Sequence, residues 1–197
     1  MKNKEFLSPG KILIIIGVFF ILSAILIITV NTLTAVRAGN LAEEILSEMN
    51  SSMRAEPSKT GGKKGESVMN IRGNDYVGVL IFPSLALSLP IMEDWSEDNS
   101  KVSPCKYSGS PQSGDFIIAG HNYKKHFGSL KKIAYDDTIW FADVSGLTYI
   151  YKVRAIEDLY PYQTDELKSG EWDLTLFTCT DSGKTRLTVR CKLIEVR

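Results

Sequence analysis

The chain has 197 residues, in which 23 Lys and Arg balance 23 Asp and Glu to give a formal net charge of zero. A neutral chain has no basic field that would attract nucleic acid or another polyanion, so the composition argues against such a partner. After one apolar N-terminal segment, the remaining length is enough for a single domain with its own core and leaves no room for a second one.

An apolar segment near the N-terminus is the first predicted element. No charged residue occurs between Ile12 and Val36, and a helix of this length, rising about 1.5 Å per residue, can cross a hydrocarbon core about 30 Å thick. The alternatives are a buried core helix and a cleavable signal peptide, whose apolar region usually has about 7 to 15 residues. We predict an uncleaved transmembrane signal anchor over residues 12–36.

The charges around this segment predict its orientation. Lysines precede it within residues 1–11, whereas Arg37 alone follows it closely before Glu43 and Glu44. The positive-inside rule then makes residues 1–11 a cytoplasmic N-terminus of a single-pass protein of the cell membrane. Everything after residue 37 is expected outside the cell.

Residues 37–70 are predicted to form an extracellular linker. Leu41, Ile45 and Met49 recur at helical spacing on one face, which predicts a short juxtamembrane helix. The stretch 54–67 is polar and rich in helix breakers, which predicts a flexible tether.

The rest of the chain, residues 71–197, is predicted to be one β domain. Short segments rich in β-branched and aromatic residues are separated by Gly, Pro, Asn, Asp and Ser. These segments are YVGVLIF, LALSLPI, DFIIAG, TIWFADV, LTYIYKVRAI, DLTLFTC and RLTVRCKLIEV. We predict a mainly β fold, a single closed or nearly closed barrel of about eight strands. Helical character is expected only at KHFGSLKKIA and as a turn around QTDELKSG.

The three cysteines differ in their predicted surroundings. Alternation along RLTVRCKLI places Cys191 on the apolar face of its strand, so it is predicted to be a core thiol. Cys105 lies in the turn-rich SPCKYSGSP, where a free thiol and a disulfide are both open. Cys179 ends its strand before the polar loop TDSGKT, and the antiparallel return of the chain makes Arg186 its neighbour across a hairpin.

That neighbour suits a nucleophilic cysteine. A guanidinium within cross-strand reach favours thiolate over thiol and can also hold an oxyanion. Acyl transfer further needs a proton donor for the leaving amine, most often histidine. Of the two histidines, His121 follows the strand end FIIAG at the predicted barrel rim, and His126 lies in the basic YKKHFG.

Together these residues resemble the sortases, the membrane-anchored cysteine transpeptidases of Gram-positive bacteria. The family's TLxTC strand end is TLFTC here, with Cys179, and an arginine opens the last strand in KTRLTV, as Arg186. Upstream, a Gly-His pair follows a hydrophobic strand in IIAGHNY, with His121. The likeness covers residues 74–197 and includes the N-terminal anchor. It implies a sortase-type catalytic β-barrel over residues 71–197.

The resemblance also implies a role for each matching residue. Cys179 is the expected nucleophile, His121 the general acid and base, and Arg186 the cation that binds the oxyanion or the substrate. Thr178 and Asn122 are expected substrate contacts beside them.

A second arginine competes with the assigned one. Arg190 shares the strand face of Arg186 but lies about 13 Å further from the loop at about 3.3 Å per residue, so Arg186 is preferred.

The implied reaction is cleavage of an LPxTG-like sorting signal between Thr and Gly through a thioester acyl-enzyme. The protein is then transferred to an amine of a cell-wall precursor or a pilin. The partners are secreted proteins with a C-terminal sorting signal, that amine, and the membrane through the N-terminal helix. Nucleic acid is not among them.

The sequence differs from the family pattern at places that matter for calcium binding and for the sortase subclass. Some members bind calcium through acidic residues before the histidine strand, but SPCKYSGSPQSGD offers only Asp115. The acidic stretch 93–99 lacks the spacing of a calcium loop and is predicted to be a solvated turn. We therefore expect no metal and no cofactor. A housekeeping or class D-like enzyme is favoured, although GHNY and FGSL resemble class B.

Two other functions remain open at this point. One is a membrane-anchored secreted cysteine peptidase that only hydrolyses. The other is a non-catalytic β-barrel surface module in which Cys179 is structural.

Overall fold

The computed structural model describes residues 9–55, 67–168 and 171–197. The chain divides into two compact units, Met1–Arg37 and Ala38–Arg197. The predicted tether lies mostly outside the described residues, and the domain boundaries at residues 11, 36 and 70 stay predictions.

The first unit contains the apolar part of helix α1 (Pro9–Ala55). Its most apolar window has a mean hydropathy of 3.2 and none of it is buried. By length and composition this helix can cross a membrane, a criterion that a signal sequence also meets.

In the second unit, the C-terminal part of α1 packs against the β-sheet. Ala42, Ile45 and Met49 are buried, and the last two belong to an apolar cluster with Tyr76. The Lys125 ammonium reinforces this contact by donating to Glu43 at 2.8 Å. The helical spacing seen in the sequence therefore marks a packed face.

Among the described residues of the second unit, nine strands form the sheet. They are β1 (Met69–Ile71), β2 (Asn74–Phe82), β3 (Leu87–Met92), β4 (Cys105–Ser108), β5 (Phe116–Ala119), β6 (Thr138–Asp143), β7 (Thr148–Leu159), β8 (Leu174–Cys179) and β9 (Arg186–Val196).

Eight of these strands close into a barrel. The pairing order β2-β3-β4-β5-β8-β9-β7-β6 returns from β6 to β2, and β1 adds to the start of β2. The pairs β3–β4 and β5–β8 are parallel and the others antiparallel. The predicted mainly β, closed barrel of about eight strands is confirmed.

Short helices lie in the connections. They are α2 (Glu97–Val102), α3 (Thr164–Lys168) and 3₁₀ segments at Pro83–Leu85 and Phe127–Lys132. The predicted helical character is found at Phe127–Lys132, and α3 lies where a turn was predicted, whereas α2 and the segment Pro83–Leu85 were not predicted. The acidic stretch 93–99, predicted as a turn, instead leads into α2, because the Ser96 hydroxyl caps the helix by accepting from the Asn99 N–H at 3.0 Å.

Both faces of β5 and β8 are buried, which explains their continuous apolar runs. Ile118 and Leu176 point into the barrel core, whereas Ile117 and Phe177 join a separate apolar cluster on the outer face. Cys191 is fully buried in the barrel core, as predicted.

Candidate active site

The ends of three neighbouring strands bring the predicted catalytic residues to one edge of the barrel. The parallel strands β5 and β8 pair Ala119 with Phe177. His121 and Cys179 each lie two residues beyond this pair, so both leave the sheet at the same end. Strand β9 returns antiparallel and places Arg186 directly opposite Cys179.

Cys179 is the exposed thiol of the chain. It ends β8, whose five preceding residues are buried, and the loop after it is closed by the Thr180 N–H donating to the Thr185 carbonyl at 2.9 Å. The other two cysteines are buried and all three are free. Burial raises the pKa of Cys105 to about 12 and also raises the pKa of Cys191, which makes both poor nucleophiles.

Arg186 is the direct cross-strand partner of this cysteine. The side chain is half-buried, and its Cζ lies 5.4 Å from the centroid of the Phe177 ring. Among the described residues it has no carboxylate in ion-pair contact. Its donors are therefore free for an oxyanion or a peptide carbonyl.

Arg190 has a different environment, although it shares the strand face of Arg186. It is 2% exposed and its Nε bonds Glu157 at 2.8 Å. Its two terminal nitrogens donate to the carbonyls of Leu167 at 2.8 Å and Glu166 at 2.7 Å. Arg190 thus ties α3 to the sheet and has no donor directed at Cys179.

His121 is half-buried and held from two sides. Its Nε2 lies 3.2 Å from the Ser100 hydroxyl, and its ring stacks on Tyr123 with centroids 4.9 Å apart. Burial lowers the pKa of His121, the charge of Lys101 lowers it further, and Glu97 opposes them. A lowered pKa favours the neutral imidazole at neutral pH and makes the imidazolium a stronger acid.

His126 is fully buried and does not share the exposed rim of His121. Neither ring nitrogen has a hydrogen-bond partner among the described residues. Burial lowers its pKa to about 4, so the ring is neutral at physiological pH. The centroid of its ring lies 5.6 Å from that of Tyr123, the same tyrosine that stacks on His121.

A cavity of ≈ 230 Å³ opens beside Cys179, between the loop after β8 and the segment after His121. Asn122 and Thr178, the two predicted substrate contacts, both line it. The Thr178 hydroxyl is buried and has no partner among the described residues, so it can bond a group that enters the cavity.

A larger cavity of ≈ 350 Å³ lies elsewhere, where Phe116 begins β5. Its lining includes Lys106 and Asp143 and none of the predicted site residues. Cavity size therefore does not identify the site. The candidate site is identified by Cys179, Arg186 and His121 at the strand ends.

The outer face of β5 and β8 forms an apolar strip that leads to Cys179. Tyr107 packs edge-on against Phe177 at 5.3 Å and against Trp95 at 6.0 Å. The buried members of this cluster are Ile117, Ala119, Leu159, Leu167 and Phe177. These side chains are packed against one another, and the accessible apolar edge of the cluster is formed by Trp95, which is 50% exposed, and the half-buried Tyr107.

Two residues at the site were missed by the sequence reasoning. Ser100 reaches His121 from α2, and Tyr123 stacks on the imidazole. The Ser96 cap signal at the start of α2 could have indicated a helix there, but not that this helix packs against the histidine.

Within the three described ranges, no group of three or more His, Cys, Asp or Glu side chains is arranged to hold an ion. The expectation of no metal and no cofactor stays a prediction.

Comparisons with known proteins bear on the family and the fold of the chain. The model of the Sortase domain matches residues 80–194. No curated protein is similar enough to match the chain.

Solved structures give the same family. The chain is similar to sortase A from Corynebacterium diphtheriae (lid mutant), with 25% identity over 60% of this chain and 70% of that chain and a TM-score of 0.55. Sortase C1 from Streptococcus agalactiae has 26% identity over 64% and 71%, with a TM-score of 0.57. Sortase C-3 from Streptococcus pneumoniae, at 19% identity over 84% and 85% and a TM-score of 0.58, supports the fold alone. The subclass stays a prediction, since sortases named A and C match at comparable identity.

Proposed function

Because the chain belongs to the sortase family, whose domain model matches residues 80–194, we propose that it is a cysteine transpeptidase that joins secreted proteins to an amine. The observation that carries this proposal is the meeting of three strand ends. Cys179 and Arg186 are register partners, and His121 follows the parallel neighbour of the cysteine strand.

The first half of the proposed reaction forms an acyl-enzyme. The Cys179 thiolate attacks the carbonyl carbon of the Thr-Gly bond in an LPxTG-like sorting signal, and Arg186 stabilises the resulting oxyanion. The C–N bond then breaks as protonated His121 gives its proton to the leaving glycine nitrogen. A thioester and neutral imidazole remain.

The second half consumes the thioester. The amine of a cell-wall precursor or a pilin attacks the same carbonyl, neutral His121 takes the proton from the attacking nitrogen, and the Cys179 thiolate leaves. The lowered pKa of His121 suits this step, because neutral imidazole is then the main form at neutral pH. Acyl transfer of this kind requires no metal or cofactor, and the proposal includes none.

The substrate path follows from the surfaces around the thiol. The accessible edge of the apolar strip, formed by Trp95 and Tyr107, suits the apolar residues of a sorting signal. The cavity lined by Asn122 and Thr178 suits the groups next to the scissile bond. These assignments support a peptide substrate that lies across the rim of the barrel.

The proposed location is the cell membrane, with the N-terminus in the cytoplasm and the barrel outside. The support is the apolar part of α1 and the lysines before it. Labelling of the thiol with an impermeant maleimide in intact cells tests the orientation. Labelling of Cys179 only after lysis would overturn it.

The function is tested by product analysis with the full chain in lipid nanodiscs. LPxTG-like peptides are incubated with glycine-based and diaminopimelate-containing amines, and the products are identified by mass spectrometry. A product in which the new amine replaces the glycine segment is expected. Cleavage without transfer to any amine would support the hydrolase alternative, and no cleavage of any peptide would support the non-catalytic one.

Two cysteine variants serve as the test and its control. Cys179→Ala is expected to abolish both cleavage and transfer. Cys191→Ala removes a buried side chain away from the site and is expected to keep both activities. Retained turnover in Cys179→Ala would refute the nucleophile.

A further inference from the structure

Ser100 joins helix α2 to the imidazole of His121. The residue is 5% exposed, and its hydroxyl oxygen has two close polar neighbours. These are the Glu97 carbonyl oxygen at 2.8 Å and His121 Nε2 at 3.2 Å.

A serine hydroxyl carries one hydrogen, so it can donate to only one of these neighbours. The Glu97 carbonyl oxygen accepts the serine hydrogen, for two reasons. It has no hydrogen of its own, and 2.8 Å is the usual length of an O–H···O bond. The 3.2 Å contact then fits an N–H···O bond in which the serine oxygen accepts from Nε2.

From this hydrogen-bond count we infer that Ser100 is a positioning residue for His121. It holds the neutral imidazole as the Nε2–H tautomer and leaves Nδ1 as the nitrogen that takes and gives the proton. The inference rests on the proposed function only for the role of His121 in catalysis. The tautomer itself is a property of the resting protein.

Two contacts fix the ring in this arrangement. The Ser100 bond fixes the position of Nε2, and the stacking of Tyr123, with an interplanar angle of 19°, fixes the plane of the ring. A 180° flip of the ring would keep the stacking but would put Cε1 in place of Nε2 and so lose the bond to Ser100. Nδ1 therefore keeps the same direction in both halves of the reaction.

The same bond is compatible with both protonation states. When Nδ1 gains a proton, the imidazolium still donates from Nε2 to the Ser100 oxygen, so the serine hydrogen does not move. The histidine can thus serve as an acid in one step and a base in the next without rearrangement around it.

The test combines a spectroscopic and a kinetic readout on Ser100→Ala and Ser100→Thr. The full chain, labelled with ¹⁵N-histidine and held in lipid nanodiscs, gives signals from only two histidines, and a His126→Phe variant assigns them. Above its titration, His121 is expected to show the Nε2–H pattern in the parent and in Ser100→Thr, and a mixture of tautomers in Ser100→Ala.

In the kinetic arm, Ser100→Ala is expected to lower kcat by about five- to tenfold, the equivalent of one lost hydrogen bond, with KM nearly unchanged. Ser100→Thr is expected to restore kcat because it keeps the hydroxyl. A parent protein with His121 in the Nδ1–H form would overturn the inference, as would a Ser100→Ala variant with an unchanged tautomer and kcat. If the parent transfers nothing, the proposed function fails, and the NMR result still decides the tautomer.

Discussion

Cys179 at the end of β8 faces Arg186 at the start of β9 as its direct register partner. Cross-strand neighbours have their Cβ atoms about 4.5 to 5.5 Å apart, so the Arg186 side chain is long enough to reach a carbonyl bound at the thiol. The short loop 180–185 sets this geometry, and no other element has to move to bring the pair together.

Selective alkylation tests the thiol. Iodoacetamide at neutral pH is expected to modify Cys179 alone in the folded chain, because Cys105 and Cys191 are buried and burial raises the pKa of both. Peptide mass spectrometry locates the label. The unfolded chain in denaturant serves as the control, where all three cysteines are expected to react. Equal labelling of Cys105 in the folded state would contradict the burial argument.

The two arginines are expected to separate function from stability. Arg186→Ala removes the oxyanion donor and is expected to lower kcat by about 100- to 1,000-fold, while thermal stability changes little because the side chain has no ion pair among the described residues. Steady-state kinetics and thermal unfolding are measured on the same samples.

Arg190→Met is the matched variant. Loss of the bonds to Glu157 and to the α3 carbonyls is expected to cost about 3 kcal/mol in the free energy of unfolding. An Arg190→Met protein with full stability and a large loss in kcat would reverse the assignment of the two residues.

The sequence predicted the parts of the site that depend on local geometry. Strand alternation and the length of TDSGKT were enough to place Cys179 opposite Arg186 and to turn Cys191 into the core. The barrel was predictable because strand-forming segments and turn residues alternate through residues 71–197. These features require only the period of a strand and the chemistry of a turn.

Contacts between distant segments could not be predicted in the same way. Ser100 meets His121 because α2 packs against the end of β5, a tertiary contact with no local signal. Strand β4 was missed because Gly, Ser and Pro dominate around Cys105. The strand is stabilised by pairing with β5, which its own residues do not indicate.

Gly128 tests how tightly the segment after His121 is packed. A Cβ at this position would lie 2.3 Å from the Asn122 carbonyl oxygen and 2.8 Å from that of Tyr123, both main-chain atoms. Gly128→Ala is therefore expected to displace the residues next to His121 and to lower kcat by more than tenfold, with a destabilisation of about 1 to 3 kcal/mol. Kinetics and thermal unfolding measure both effects.

The control for this variant is Gly146→Ala, at a turn where a Cβ meets no atom within 4 Å. Its positive φ of 98° makes alanine strained there, so it is expected to cost stability without affecting kcat. An unchanged kcat in Gly128→Ala would contradict the prediction and would mean that the segment after His121 can shift to accommodate a Cβ.

The charges on α2 are expected to set the pH dependence of His121. Lys101 lowers the pKa of this histidine and Glu97 raises it. Lys101→Gln is therefore expected to move the inflection of the pH–kcat/KM profile assigned to His121 to higher pH, and Glu97→Gln is expected to move it to lower pH. Both shifts are expected to shrink in high salt, since these side chains are solvated. Shifts of the same sign in both variants would contradict a Coulombic cause.

Acid sensitivity of the fold is the last prediction, and it follows from His126. Burial lowers its pKa to about 4, and the nearby charge of His121 acts in the same direction; the Ala38 main chain, which approaches the ring without a hydrogen bond of normal geometry, opposes them. The unfolded chain takes up a proton near pH 6.5, whereas the folded chain does so only near pH 4. Stability due to the neutral ring is thus complete above pH 6.5 and is lost as the pH falls from 6.5 to 4, by on the order of 3 kcal/mol.

The measurement compares the original chain with His126→Phe, whose ring fills the same space and leaves no unpartnered nitrogen. Between pH 6.5 and pH 4 the free energy of unfolding is expected to fall less steeply in His126→Phe than in the original chain. The difference between the two slopes is expected to be on the order of 1.4 kcal/mol per pH unit. Other titrating groups cancel in the difference between the two proteins. Parallel pH profiles would mean that His126 takes up its proton in the folded state as readily as in the unfolded one, since only a difference between the two pKa values gives a slope.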